Sequence, residues 1–141
     1  MTTVEDLMVT NLTTVTEHSS LAEAKTLMHD KNIRNLPVVN QEGECIGMLT
    51  QREYLRYAFY LVSQFGTQQL AKKEEQTPVS KVMNKDILTI DPSVSLETAA
   101  EFFIENKYGC LPIVKDSQLL GILTPVDFVK FAHKKLLEQN Q

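Results

Sequence analysis

Cysteine, tryptophan and basic charge are all scarce in this chain. Its two cysteines, Cys45 and Cys110, stand far apart and form no Cys-x-x-Cys pair, so neither a disulfide framework nor a thiolate metal site is expected. Reduced thiols used as small apolar packing residues are expected instead, and with them a cytoplasmic setting. The three histidines, His18, His29 and His133, have no metal-ligand spacing with each other or with the cysteines. No apolar run approaches the roughly 20 residues of a membrane helix. The acidic start, Met-Thr-Thr-Val-Glu-Asp, lacks a basic-then-apolar signal pattern, so export is not expected. Fourteen Lys+Arg against eighteen Asp+Glu leave a formal charge of −4, which argues against a binder of nucleic-acid backbone. HExxH, GxSxG, GxGxxG and GxxxxGK[ST] are absent. Nothing in the sequence nominates a base for Cys110, so an enzyme is not expected.

What the sequence does contain is a repeat. In 141 residues, 43% of them hydrophobic, the same ordered set occurs twice. Val4-Glu5-Asp6-Leu7-Met8 aligns with Val79-Ser80-Lys81-Val82-Met83, and Thr14-Val15 with Thr89-Ile90, at an offset of 75. Ser20-Leu21 then meets Ser95-Leu96, and Leu36-Pro37-Val38-Val39 meets Leu111-Pro112-Ile113-Val114. One residue is lost at the next turn, after which Gly47-Met48-Leu49-Thr50 meets Gly121-Ile122-Leu123-Thr124 at an offset of 74.

Each copy reads as strand, helix, strand, strand, helix. The first helix opens on the capping-box form Ser20-Leu21-Ala22-Glu23. Its apolar residues Leu21, Ala24, Leu27 and Met28 fall at helical spacing. The paired strands join through Asn40–Gly43 or through Lys115–Gln118, which are turn sequences between β-branched runs. A unit of about 60 residues buries its apolar face poorly alone. Two matched copies are therefore expected to pack sheet to sheet about a pseudo-twofold axis, as an α/β (α+β) protein. The predicted units are residues 1–65, with a connecting helix to about 76, and 78–138. The connecting stretch Tyr54–Val62 is apolar or aromatic nearly all round. Its second side is expected to meet another copy of the chain, unless Gln64–Glu75 folds back over it. Lys72–Pro78 reads as the linker.

Thr50-Gln51-Arg52-Glu53 and Thr124-Pro125-Val126-Asp127 follow the last strand of each copy. As helix starts they are complete: Thr at the cap, an acid three residues on, and Pro125 at the first helical position. The same geometry suits a ligand, since a helix start offers amides to phosphate and a carboxylate can accept ribose hydroxyls. Arg34 precedes a strand as a surface cation or as a phosphate partner.

The ordered set, from Met8 and Thr14-Val15 through Leu36-Pro37-Val38-Val39 to Gly47-Met48-Leu49-Thr50, and again from Met83 to Asp127, resembles the CBS domain. Two in tandem resemble a CBS pair, or Bateman module. The set is also similar to the CBS part of acetoin-utilisation-type proteins. The resemblance implies β-α-β-β-α units, a homodimer through helices, and a cleft between units for AMP, ADP, ATP or S-adenosylmethionine as a regulatory ligand, with no required cofactor. The residues it implies for that cleft are Thr14, Val15, Arg34, Asn35, Leu36, Pro37, Thr50 and Glu53, with Thr89, Ile90, Cys110, Leu111, Pro112, Thr124 and Asp127. Thr14-Val15 and Thr89-Ile90 would offer backbone groups to adenine, and the β segment of one copy would share a cleft with the Thr-x-x-acid start of the other. Glu53 departs from the family's Asp, and the second copy has Gly109 where the first has Arg34. At most one good site per chain is thus expected, with output through an unidentified effector protein. The alternative is a structural or interaction dimer with vestigial clefts.

Overall fold

The computed structural model describes residues 2–140. Along the chain the elements are α1 (Val4–Leu7), β1 (Val15–Thr16), α2 (Leu21–Asp30), β2 (Asn35–Val39), β3 (Cys45–Thr50), α3 (Gln51–Phe65), α4 (Leu70–Gln76), α5 (Leu96–Glu105), β4 (Leu111–Lys115), β5 (Gln118–Leu123) and α6 (Pro125–Gln139), with short 3-10 turns at Thr67–Gln69 and Val79–Lys81. They form two compact units: Thr13–Ile87, and Met1–Leu12 together with Leu88–Gln141. Repeat boundaries in the sequence and unit boundaries in space therefore differ. The opening segment of each repeat belongs to the unit built by the other.

In the first-repeat unit β1 runs parallel to β2 with Val15 opposite Val38, and β2 pairs antiparallel with β3 with Leu36 opposite Leu49. Ser20 caps α2 by accepting the Glu23 amide at 3.1 Å, as the capping-box pattern predicts. The β2–β3 turn is held by Asn40, whose Oδ1 accepts from the amides of Glu42 at 3.0 Å and Glu44 at 2.9 Å. Leu21, Ala24, Leu36, Val38, Leu49 and Tyr54 form the core, and Val79 from the opening of the second repeat completes it.

The second-repeat unit repeats this plan with one shortening. β4 and β5 pair antiparallel through a two-residue turn in which Asp116 and Ser117 take φ of 51° and 67°. That is the left-handed turn geometry that matches strand twist. The predicted first strand is reduced to one parallel bridge, Ile90 to Ile113. Pro92 explains this: it has no amide to donate to a ladder, and Asp91 turns the chain by accepting from Ser93. The core is Ile90, Leu96, Ala99, Leu111, Ile113 and Leu123, completed by Val4.

Val4 and Val79 are repeat equivalents, so the exchange is symmetrical. It is pinned at two glycines. Val9 and Ile122 exchange amide–carbonyl bonds of 2.9 and 3.0 Å beside Gly121, and Met48 and Asn84 exchange bonds of 3.0 and 2.8 Å beside Gly47. A Cβ at Gly121 would lie 2.8 Å from the Met8 Sδ, and one at Gly47 would lie 2.7 Å from the Met83 Sδ. Bare backbone is what lets each incoming segment sit down on its strand.

The expected linker is largely helix. Residues 70–76 form α4, which packs against both α2 and α3. The fold-back alternative is thus realised on the Tyr54 side of α3, while Phe59 stays 77% exposed and Tyr60 51%.

Candidate functional site

The residues expected to bind a ligand fall into two sets, one inside each unit. In the first-repeat unit Asn35 stands opposite Thr50 at the open end of the hairpin. The Arg34 carbonyl accepts the Gln51 amide at 2.8 Å, which ties the start of β2 to the start of α3. The Arg34 side chain is exposed and lines a groove between α2 and α3. Extending the β4–β5 register one step sets Cys110 opposite Thr124 in the second-repeat unit, the same arrangement one repeat on.

The two helix starts differ by one methylene, and their bonding differs accordingly. Asp127 is buried, and its Oδ2 accepts from the Thr124 amide at 2.9 Å and from the Thr124 hydroxyl at 3.2 Å. No bond to Oδ1 is seen among the described residues, so one carboxylate oxygen remains for a further donor. Glu53 instead sends its amide to Thr50 Oγ1 at 3.2 Å and takes the Thr50 hydroxyl on Oε1 at 3.3 Å. Burial pushes the Glu53 carboxyl up, against the opposing pull of the Thr50 hydroxyl and the Arg56 charge.

Several residues of the expected cleft have buried side chains. Leu36 and Leu111 are core side chains with no exposed surface, and Pro37 and Pro112 are likewise fully buried in their ladders. Val15 is buried within the β1–β2 pair. At Ile90 the backbone is engaged as well. Its amide donates to the Pro112 carbonyl at 3.1 Å and its carbonyl accepts from Val114 at 2.9 Å, so the amide is spent in the ladder and the carbonyl keeps one lone pair. Thr89 is exposed and Thr14 half-buried, which leaves them as the accessible members of those pairs. Cys45 is half-buried: burial pushes its thiol up, and its Sγ donates to the Gly47 carbonyl at 3.6 Å.

One buried charge escaped the sequence reading. Glu74 of α4 is 2% exposed and accepts the Tyr54 hydroxyl of α3 and, at 3.3 Å, the Lys25 ammonium of α2. Burial and then the Glu74 bond push the Tyr54 phenol up. The bond to Tyr54 is the largest influence holding the Lys25 ammonium up. A single carboxylate thus ties three helices, from a position inside the polar run that reads as linker. No pattern of spacing marks it. Among the described residues no cluster of three His, Cys, Asp or Glu is placed to hold a metal, and no helix is long and apolar enough to cross a membrane.

The doubled hairpin-and-helix unit, with Thr-x-x-acid after each last strand, is matched by the model of the CBS domain over residues 4–60 and again over 79–134. The chain belongs to the CBS-domain family. As a CBS pair it is 35% identical to the CBS domain-containing protein YhcV of Bacillus subtilis, over 87% of this chain and 80% of that one. Among solved structures it is similar to the AcuB protein of Vibrio cholerae, with 31% identity, a TM-score of 0.82, and coverage of 99% of this chain and 96% of that one. CBSX2 in complex with AMP is 30% identical with a TM-score of 0.80, covering 95% of this chain and 98% of that chain. Other relatives are longer: the chain spans 32% of the Methanocaldococcus jannaschii protein MJ1404, to which it is 32% identical.

Proposed function

We propose that this CBS pair is a regulatory module that senses an adenosyl ligand, AMP first among them. The observation that carries the reading is the Thr124–Asp127 helix start. A buried carboxylate, oriented by two bonds from Thr124, keeps an oxygen able to accept a ribose hydroxyl. The likeness to the AMP complex of CBSX2 supports AMP as the first ligand to try, with ADP, ATP and S-adenosylmethionine after it. In this reading Cys110 borders the ligand beside Thr124. Arg34, Asn35, Thr50 and Glu53 form the weaker counterpart, in which the acid is longer by a methylene and is not held by the Thr50 amide as Asp127 is by that of Thr124. The ligand acts by binding one packing of the protein better than another, and it shifts the balance by that difference alone. An effector protein or the geometry of a homodimer carries the signal onward.

Isothermal titration of AMP and ATP into wild type and Asp127→Asn tests this. The substitution keeps an acceptor for the Thr124 amide and removes the charge. AMP binding that weakens in the variant supports the reading, and equal affinity removes Asp127 from the site. A ligand at about 100 times its Kd also raises stability by about 2.7 kcal/mol, which a thermal-shift screen detects.

A second reading, an interaction dimer without nucleotide, is favoured by exposed apolar residues on the outer helices: Leu55, Phe59 and Tyr60 on α3, and Val126, Val129, Leu136 and Leu137 on α6. It predicts a dimer by light scattering that Phe59→Glu dissociates, together with no thermal response to any adenosyl compound.

A further inference from the structure

Each repeat sets two helices over its hairpin, and the valleys between those helices differ. In the second-repeat unit Phe103 of α5 meets Phe128 of α6 edge-on, with ring centroids 5.9 Å apart and planes at 73°. The repeat equivalents in the first-repeat unit are Met28 and Tyr54. Methionine replaces one ring, and Tyr54 is tied by its hydroxyl to Glu74 of α4. Between α2, the turn that follows it and the start of α3 a groove of about 520 Å³ is left open. That lies within the size range of small-molecule sites, roughly 300–1,000 Å³.

The chemistry of the groove is as asymmetric as its shape. Met28, Ile33, Tyr54 and Leu55 give it apolar walls, and Lys25 and Arg34 are its bases. Its one carboxylate, Asp30, lies 3.3 Å from His29. Arg34 has no carboxylate partner among the described residues. Lys25 bonds to Glu74 and to Tyr54 while its side chain stays half exposed, and an ammonium has three donors. So a chain with a formal charge of −4 carries two bases and one acid around this opening. At the equivalent positions of the second repeat, beside the Phe103–Phe128 pair, stand Ala100 and Gly109. Within one duplicated fold, both cations belong to one copy and are absent from the other.

We propose that this groove binds a small organic anion, with an aromatic or apolar body against Met28, Ile33, Tyr54 and Leu55 and a carboxylate or phosphate neutralised by Arg34 and Lys25. Arg34 is shared with the adenosyl reading, whereas Lys25 and Met28 belong to the groove alone, so variants at those two positions separate the proposals. The test is NMR titration of the full chain with phenyl phosphate, benzoate and, as a neutral control, benzyl alcohol. One or both anions should move amides of residues 25–34 and 51–55 saturably, and the stronger of the two names the anionic group. Lys25→Gln, which keeps a donor for Glu74, should weaken binding by about tenfold, the loss expected for one charge-assisted bond. Met28→Phe copies the Phe103 ring of the second repeat and should abolish binding. The proposal is overturned if neither anion produces saturable shifts, if benzyl alcohol binds as well, or if the folded Lys25→Gln protein binds undiminished.

Discussion

Replacing Gly121 with alanine isolates the contact that locks the N-terminal segment into the second-repeat unit. The new Cβ would stand 2.8 Å from the Met8 sulfur and 2.9 Å from the Val9 carbonyl oxygen. The methionine can swing aside, but the carbonyl cannot, because it accepts the Ile122 amide at 3.0 Å while Val9 donates back at 2.9 Å. Relief therefore requires giving up that pair of bonds, at about 1 kcal/mol each. Met8 loses packing as well, and the usual gain of up to about 1 kcal/mol for alanine over glycine in a strand is offset. A net loss of about 2 kcal/mol follows. For a chain of this size that lowers Tm by about 8 °C in a circular-dichroism or calorimetric melt. Hydrogen exchange should show the Val9 and Ile122 amides losing protection before the rest of the unit. Adding Met8→Ala should not restore stability, because it leaves the Val9 carbonyl in place. Gly47→Ala should behave alike against Met83 and Asn84. A Tm at or above wild type, or unchanged protection at Val9, would refute the reasoning, since alanine at an unobstructed strand glycine stabilises.

Other outcomes follow from the helix tie at Glu74. Tyr54→Phe leaves one oxygen of a buried carboxylate without its donor and should cost about 2 kcal/mol in a denaturant melt. Glu74→Gln should cost less, because the amide still accepts from Tyr54, and the double variant should fall short of the sum of the two. The tie also makes the fold alkali-sensitive. The phenol of Tyr54 and the ammonium of Lys25 both hold their protons more firmly folded than unfolded. Their stabilisation is complete below about pH 10 and fades as pH rises through the folded values. A pH series of melts should show this loss in wild type and less of it in Tyr54→Phe. At the other end of α2, Ser20→Ala removes the cap on the Glu23 amide and should cost about 1 kcal/mol, read as a lower denaturant midpoint with an unchanged slope.

The elements were legible because the repeat states each of them twice. Ser20 and Ser95, the Leu-Pro-Val/Ile-Val strands and the Thr-x-x-acid starts are local signals, and local signals set helix caps and strand ends. What stayed hidden depends on distance. Nothing near Val4 says that it fills a core built from residues 90–123, because an apolar residue in a short amphipathic turn suits any core. Glu74 reads as linker because a charged residue among Lys72, Lys73 and Glu75 is ordinarily solvated, and only the Tyr54 and Lys25 partners make its burial tolerable. The implied site was half legible. Asp127 stands at the start of α6 bonded to Thr124 and Arg34 is exposed ahead of β2, as their local motifs say, but the Ile90 amide is spent in the ladder. That loss follows from a parallel bridge to Ile113, which no window of sequence displays.

The exchange of opening segments also orders events on the ribosome. Residues 13–87 hold everything the first-repeat unit needs, so that half can close while the remainder of the chain is still being made. The arm bearing Val4 and Met8 is made more than a hundred residues before its cradle at Ile122, so it waits for most of both repeats to be translated. Until then it is an unpaired apolar tether, open to chaperones, to proteases and to the cradle of a neighbouring nascent chain.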